Sequence, residues 1–333
     1  YSNDTATAVT KGALSNSRSQ MAAAGNDDFG YFGGGNFPSP ASTVVDRVDY
    51  SNDTAAAVTK GPLSEDRFKP GATGNNSFGY FAGGYNHSPN GPKSTIDRVD
   101  YSNDTATASV RGPLPVVNYY MVASSARENG LPQVDHTLSL ANSPVQKFPT
   151  TFFGYFAGGN GGYKVIDRID YTNDTATAVN RGGLLSLNKQ RLAGTGNSSF
   201  GYFGGGTPTT SRVDRLDYSN DTEDTVEKGP LSAARYYVTA TGNADFGYFG
   251  GGKTPANVST IDRVDYSNDT ATAEVKGPLS SARYAVAATG NQNFGYFGGG
   301  FPGGLAIDRV DYSNDTVAAP AKGPLPVARL GMA

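Results

Sequence analysis

Apolar and polar residues alternate in short bursts along this chain and never settle into a helical period. In Ala306-Ile-Asp-Arg-Val-Asp-Tyr312 a two-residue period puts Ile307, Arg309 and Asp311 on one face and Asp308, Val310 and Tyr312 on the other, which predicts a strand. Before it, Phe294-Gly-Tyr-Phe297 reads as a compact aromatic strand running into Gly298-Gly-Gly300, where residues without side chains permit positive φ or close backbone approach. Earlier still, the small and β-branched run Ser281 to Thr289 ends at a Gly290-Asn291 turn signal. Downstream, Ser313-Asn-Asp315 suits a tight turn, and Thr316-Val-Ala-Ala leads out as a fourth strand. We name these predicted strands A (281–289), B (294–297), C (306–312) and D (from 316). Gly, Pro, Asn, Thr and Ser interrupt every window in which a helix could form.

The unit recurs. Tyr-Ser/Thr-Asn-Asp-Thr starts at Tyr1, Tyr50, Tyr101, Tyr171, Tyr218, Tyr266 and Tyr312, at spacings of 46 to 51 residues with one of 70. A four-stranded antiparallel unit of that length is the signature of a β-propeller blade, with small-residue strand A innermost. The 333 residues are therefore one repeat domain, all-β, and not two unrelated cores. Strand B occurs six times, at Phe29, Phe78, Phe153, Phe200, Phe246 and Phe294, whereas the D-type segment occurs seven times. Six blades are complete. A seventh is split between a D segment at Tyr1 and an A-like run at Pro326 to Ala333, leaving six blades, seven blades or a longer array open, with a lean towards a seven-repeat parent. The chain opens in mid-repeat without Met, which predicts that sequence precedes it.

The units resemble kelch repeats. A kelch blade has an Arg before its first strand, an aromatic second strand ending in Gly-Gly, a third strand ending near Tyr and a polar turn into the fourth; Arg283, Phe294 to Gly299, Val310 to Tyr312 and Ser313 to Thr316 correspond. Two departures stand out: the Trp usual after the last turn is missing, and in the third unit Asn118 replaces the Arg. The near-verbatim Phe-Gly-Tyr-Phe-Gly-Gly and Asp-Arg-Val-Asp-Tyr-Ser-Asn-Asp-Thr wording is also similar to repetitive virion and structural proteins of marine cyanobacterial tailed phages. That resemblance implies a secreted or virion-surface protein assembling with itself or with neighbouring subunits.

Charge narrows the partners. The 27 basic and 30 acidic residues are spread through the repeats, so no basic stripe is available for nucleic acid. No apolar run is long enough to cross a bilayer as a helix, so membrane insertion is not expected. With no Cys, disulfides, thiol catalysis, thiolate zinc sites and the Cys-linked Tyr of kelch-like copper radical oxidases are excluded; the only histidines are His87 and His136. Gly247 to Thr254 matches a phosphate-loop pattern, but Pro255 and the β-branched residues up to Ile261 follow where a helix is needed.

Carboxylates recur in every unit, which marks them as structural: Asp46 and Arg47 are expected to pair locally or with the next blade. The two uneven acidic clusters, Glu223, Asp224 and Glu227, and Glu65-Asp66, read as solvated surface, which leaves a polysaccharide hydrolase as the outlying alternative. Asp49, Asn52 and Asp53 have the oxygen-rich spacing of a calcium loop, against which stands an Asx-type turn needing no cofactor. The Asn-Asp-Thr triplets, at Asn52 and Asn268 among others, are formal glycosylation acceptors.

Variation is concentrated in the loops between strands B and C, which suits recognition on a rigid scaffold. Tyr85, Asn86, His87, Tyr163 and Phe301 are the candidate ligand-binding residues there. A long insertion in the third unit, residues 127–150, lies between strands A and B and so on the opposite face. The resulting expectation is a non-enzymatic propeller that binds a glycan or a protein through its B–C loops, with a purely architectural segment of a fibre, capsid or tail as the alternative.

Overall fold

A computed structural model describes residues 11–36, 40–87, 90–125, 153–160, 164–181, 187–322 and 324–325. Six antiparallel four-stranded blades follow one another around a ring, and among the described residues only three single-turn 3-10 segments are helical. The chain is a six-bladed β-propeller. In blade 5 the strands are A, Thr239–Gly242; B, Phe246–Gly250; C, Ile261–Asp265; and D, Glu274–Lys276. In blade 6 the fourth strand is reduced to one bridge, Asp308 to Ala321. The insertion at 127–150 and the A-like run at Pro326 to Ala333 lie outside the described residues.

Register is the same in each blade: the strand-B Tyr faces the strand-C Arg, as in Tyr80 to Arg98 and Tyr248 to Arg263. Strand C alternates as its pattern requires, with Asp308, Val310 and Tyr312 buried and Ile307, Arg309 and Asp311 less so. Strand A differs from the reading above. It begins at Ala287, because Ala285 takes a left-handed φ of 52° and stops the extended chain there.

Blades are joined by five hydrophobic clusters, each spanning one seam between successive blades; Tyr80, Ile96 and Leu114 of blade 2, for example, pack with Phe156, Ile169 and Tyr171 of blade 3. A polar lock crosses the same seams. Asp174, from the C–D turn of blade 3, accepts from Tyr80 Oη and Arg98 Nη1 of blade 2, both at 2.8 Å, with Arg111 Nε 3.4 Å away. Tyr80 also stacks on Tyr171, ring centroids 4.9 Å apart. Asp104, Asp221, Asp269 and Asp315 repeat this arrangement with Tyr31, Tyr155, Tyr202 and Tyr248. Burial opposes ionisation of Asp269, but Lys228, Tyr202 and Arg215 outweigh it and hold the carboxyl below its usual range. Asp46 and Arg47 show both expected behaviours: Asp46 pairs with Arg18 of its own blade, and Arg47 with Asp104 of the next.

Candidate functional site

The repeated Arg ahead of strand A ties the B–C loop to the approach to strand A on the same face. Arg67, fully buried, donates to Gly83 O at 3.1 Å, Thr95 O at 2.9 Å and Asp97 Oδ2 at 2.7 Å. Arg18 and Arg235 make the same three contacts in their blades, whereas Arg283 reaches Ala306 O and Asp308, and Lys189 in blade 4 reaches Arg212 O and Asp214. The loop passes close by: a Cβ at Gly83, whose φ is +60°, would lie 2.3 Å from Asn118 O.

Two residues beyond each anchor the backbone turns left-handed at a residue that is not glycine. Gln20, Lys69, Tyr120, Arg191, Tyr237 and Ala285 have φ between 52° and 61°. Such residues are uncommon, and a bulky one there is strained by about 1–3 kcal/mol unless the surroundings enforce it. Here the ring enforces it: Lys69 N donates to Gln20 O at 2.8 Å, Tyr120 N to Lys69 O at 3.2 Å and Tyr237 N to Arg191 O at 3.0 Å. Blades 1 and 2, 2 and 3, and 4 and 5 are thus linked by hydrogen bonds along an inner rim. The rim repeats its geometry and changes its side chain from blade to blade.

Those side chains extend into an arc of aromatic and cationic groups. Lys69 Nζ lies 4.2 Å from the Tyr120 ring centroid and 4.8 Å from that of Phe68. The Arg191 guanidinium sits between Tyr120 and Tyr237, at 5.5 and 4.9 Å. Tyr237 continues to Tyr284 at 5.3 Å, and Tyr284 to Phe301 at 5.7 Å, with Lys253 Nζ 5.3 Å from the Tyr284 ring. Burial raises the Tyr120 and Tyr237 hydroxyl pKa values, and burial followed by the Arg191 charge lowers that of Lys69. Beside Arg191, Gln190 Oε1 and Thr207 Oγ1 are buried without a protein partner among the described residues.

The expected loop residues fall at one end of this arc or outside it. Tyr85–His87 pairs with Asn90–Pro92 as a small hairpin projecting from blade 2. Tyr85 packs on Phe68 at 5.6 Å and Tyr119 at 5.1 Å, and the exposed His87 ring stacks on Phe68 at 4.7 Å. Asn86 points the other way: it is 2 % exposed, and its Nδ2 donates to Asp66 at 2.6 Å, so it holds the hairpin. Phe301 is 49 % exposed at the far end of the arc. Tyr163 lies outside the described residues.

The oxygen cluster at Asp49, Asn52 and Asp53 behaves as a turn. Asp49 accepts from Ser51 N and Oγ at 2.9 and 2.6 Å, Asn52 from Thr54 Oγ1 at 3.3 Å, and Asp53 pairs with Lys11. The Ser51 bonds hold the Asp49 carboxyl below its usual range. No group of three His, Asp or Glu side chains suited to a metal occurs among the described residues.

Comparison adds the fold and little else. No family model and no curated protein matches the chain. A solved structure titled "Structure of YjhT" is similar over 92 % of this chain and 99 % of its own, with a TM-score of 0.67 and 12 % identity. At that identity the likeness extends to the propeller architecture.

Proposed function

We propose that this propeller is a non-enzymatic binding module that takes a glycan or protein on the face carrying its B–C loops and inner rim. The observation behind this reading is the rim itself: one strained left-handed position per blade is occupied by six residues of five unlike chemistries, Gln, Lys, Tyr, Arg and Ala, on a backbone geometry that recurs in every blade. Strain kept in place while the side chain varies is a pattern of recognition surfaces. Tyr120, Tyr237 and Phe301 offer ring faces to apolar sugar or peptide surfaces, and Lys69 and Arg191 favour an anionic group on that ligand. Kelch-like repeats, and the wording shared with virion proteins, support an extracellular or particle-surface setting for such a module.

A glycan array containing neutral and acidic sugars, run beside a pull-down against host surface material, tests the reading. Binding is expected in at least one, with Tyr120→Ala and Arg191→Ala each weakening it about tenfold or more while the unfolding midpoint stays near that of the parent. Silence in both assays removes the binding claim.

A further inference from the structure

The net charge of −3 conceals a division between the two faces of the ring. The six B–C loops, 34–43, 83–95, 158–165, 205–212, 251–260 and 299–306, contain no Asp or Glu, and neither do the six segments that run from each anchor into strand A. The links from strand D to the next strand A open on the same face and add only Glu65 and Asp66. Glu65 is taken by Lys93, and Asp66 by the Asn86 amide. The opposite face collects the carboxylates instead. Every C–D turn there begins and ends on an Asp, as at Asp265 and Asp269, and Asp27, Asp28 and Asp245 are exposed in A–B turns.

Three cations on the carboxylate-poor face have no acidic partner. Lys69, Arg191 and Lys253 pair with no carboxylate among the described residues, unlike Lys93 and Arg212, which pair with Glu65 and Glu227. Lys69 and Arg191 share one ring, Tyr120, at 4.2 and 5.5 Å, and the Arg191 charge adds to burial in pressing the Lys69 ammonium below its usual range. Two like charges that share a ring without a counter-ion leave a place where an anion relieves both. Lys253 repeats the chemistry further along, 5.3 Å from the Tyr284 ring. Gln190 and Thr207, joined through their backbones beside Arg191, bring side-chain oxygens that are buried with no hydrogen-bond partner among the described residues.

We propose that the rim face binds an acidic polysaccharide, a chain along which carboxylate or sulfate groups recur, with one anionic group seated between Lys69 and Arg191 and another at Lys253. This rests on the reading of the rim as a binding face and names the class of its ligand. Arg191 offers a planar set of donors matched to a two-oxygen anion, and Lys69 a point charge beside it. The Tyr120, Tyr237 and Tyr284 rings lie along the arc with these cations and give apolar surface for sugar rings. Hydroxyls both donate and accept, so a sugar satisfies Gln190 Oε1 and Thr207 Oγ1 together. An acidic peptide brings charge without that density of hydroxyls, and a nucleic acid needs more phosphate contacts than three cations provide. A face poor in carboxylates lets the field of those cations reach an approaching polyanion uncancelled.

The test titrates labelled polymers into the full chain by fluorescence anisotropy: polygalacturonate fragments as the carboxylated probe, dextran sulfate as the sulfated one and dextran as the neutral one, with polyglutamate and oligothymidylate alongside. At least one acidic saccharide is expected to bind saturably, about tenfold or more tighter than dextran, and to weaken severalfold between about 50 and about 300 mM NaCl. Which of the two binds identifies the anion. Arg191→Gln and Lys69→Gln should each weaken binding about tenfold, and Lys253→Gln a few fold. Gln20 already holds the same left-handed position in blade 1, so the first two variants keep the backbone, which an unchanged unfolding midpoint checks. Dextran binding as tightly as the acidic probes, with Tyr120→Ala weakening it, overturns the acidic assignment and leaves the rim as a binding face. Polyglutamate or oligothymidylate binding as tightly overturns the saccharide. No binding by either acidic saccharide, or binding indifferent to Arg191→Gln and Lys69→Gln, overturns the proposal.

Discussion

The seam locks and the inner rim each occur once per blade, yet they repeat different things. At Asp104, Asp174, Asp221, Asp269 and Asp315 both the geometry and the residues recur, with a buried carboxylate, a Tyr hydroxyl and an Arg. At Gln20, Lys69, Tyr120, Arg191, Tyr237 and Ala285 the left-handed geometry recurs and the residue does not. A position that must hold blades together tolerates one solution. The rim positions keep their place in space and vary their chemistry, which is why we propose them as the recognition surface.

Breaking a lock should have the largest effect. Asp174→Ala removes the acceptor of Tyr80, Arg98 and Arg111 inside a buried seam, orphaning donors on strands B, C and D together. A loss of about 5 kcal/mol is expected, at the upper end for breaking a buried ion pair. Urea unfolding followed by far-UV circular dichroism measures it; a loss under about 1 kcal/mol would reduce the locks to decoration.

How each class could be read in the sequence follows from its chemistry. The locks use a Tyr-Ser-Asn-Asp turn and an Asp-Arg-Val-Asp strand, whose two-residue period puts Asp308 and Val310 on one face and Arg309 on the other, the first of which the structure buries. The rim is written only in the sign of φ, which no residue type announces when glycine is absent. Ser281 to Thr289 therefore reads as one strand although Ala285 interrupts it. The flanking residues vary as well, from Ser19 and Met21 to Tyr284 and Val286, so no fixed frame marks the position in the sequence. The same alternation that worked for strand C also separates Asn86, which is buried, from Tyr85 and His87 in their hairpin. Loop variability alone could not make that distinction. Partners across a seam, such as Tyr31 with Asp104, become neighbours only once the ring is formed.

Blade 3 weakens the frame beneath the rim, and pH should expose it. Asn118 stands where other blades have Arg or Lys, and it donates to Gly158 O, leaving Asp167 buried without a cation among the described residues. Burial pushes the Asp167 carboxyl up to about 7, partly offset by Asn180. With the folded value above the unfolded one, near 3.9, the native state holds a proton that the unfolded chain lacks between those limits. Stability from this group is complete below about pH 4 and lost as pH rises through about 7. Asp167→Asn should flatten that slope and stabilise the protein at pH 8 by up to about 4 kcal/mol. Equal slopes for parent and variant in urea titrations between pH 4 and 8 would refute it.

Relieving the rim should have a smaller effect of the opposite sign to breaking a lock. Ala285 holds its left-handed φ with no side chain beyond Cβ, so Ala285→Gly removes strain and little else. A gain of about 1 kcal/mol is expected after the extra unfolded-state entropy of glycine. Ala287→Gly, two residues on in strand A, should instead cost a similar amount. If both substitutions destabilise, the rim carries no strain for function to hold.

The smallest effect belongs to the turn carboxylate of blade 1, which is exposed where its counterparts are buried. Asp53 shares its turn sequence with Asp104, yet among the described residues it pairs only with Lys11, and both side chains are more than 40 % exposed. Water already solvates and screens the pair, so Asp53→Ala should change stability by less than about 0.5 kcal/mol. Asp104→Ala, one blade on, should cost several kcal/mol for the reasons that apply to Asp174. Thermal unfolding of the two variants side by side separates sequence from context, because the turn is the same and the neighbouring blade differs. A large loss at Asp53 would mean that its turn is locked like the others, and the difference between buried and exposed turns would disappear.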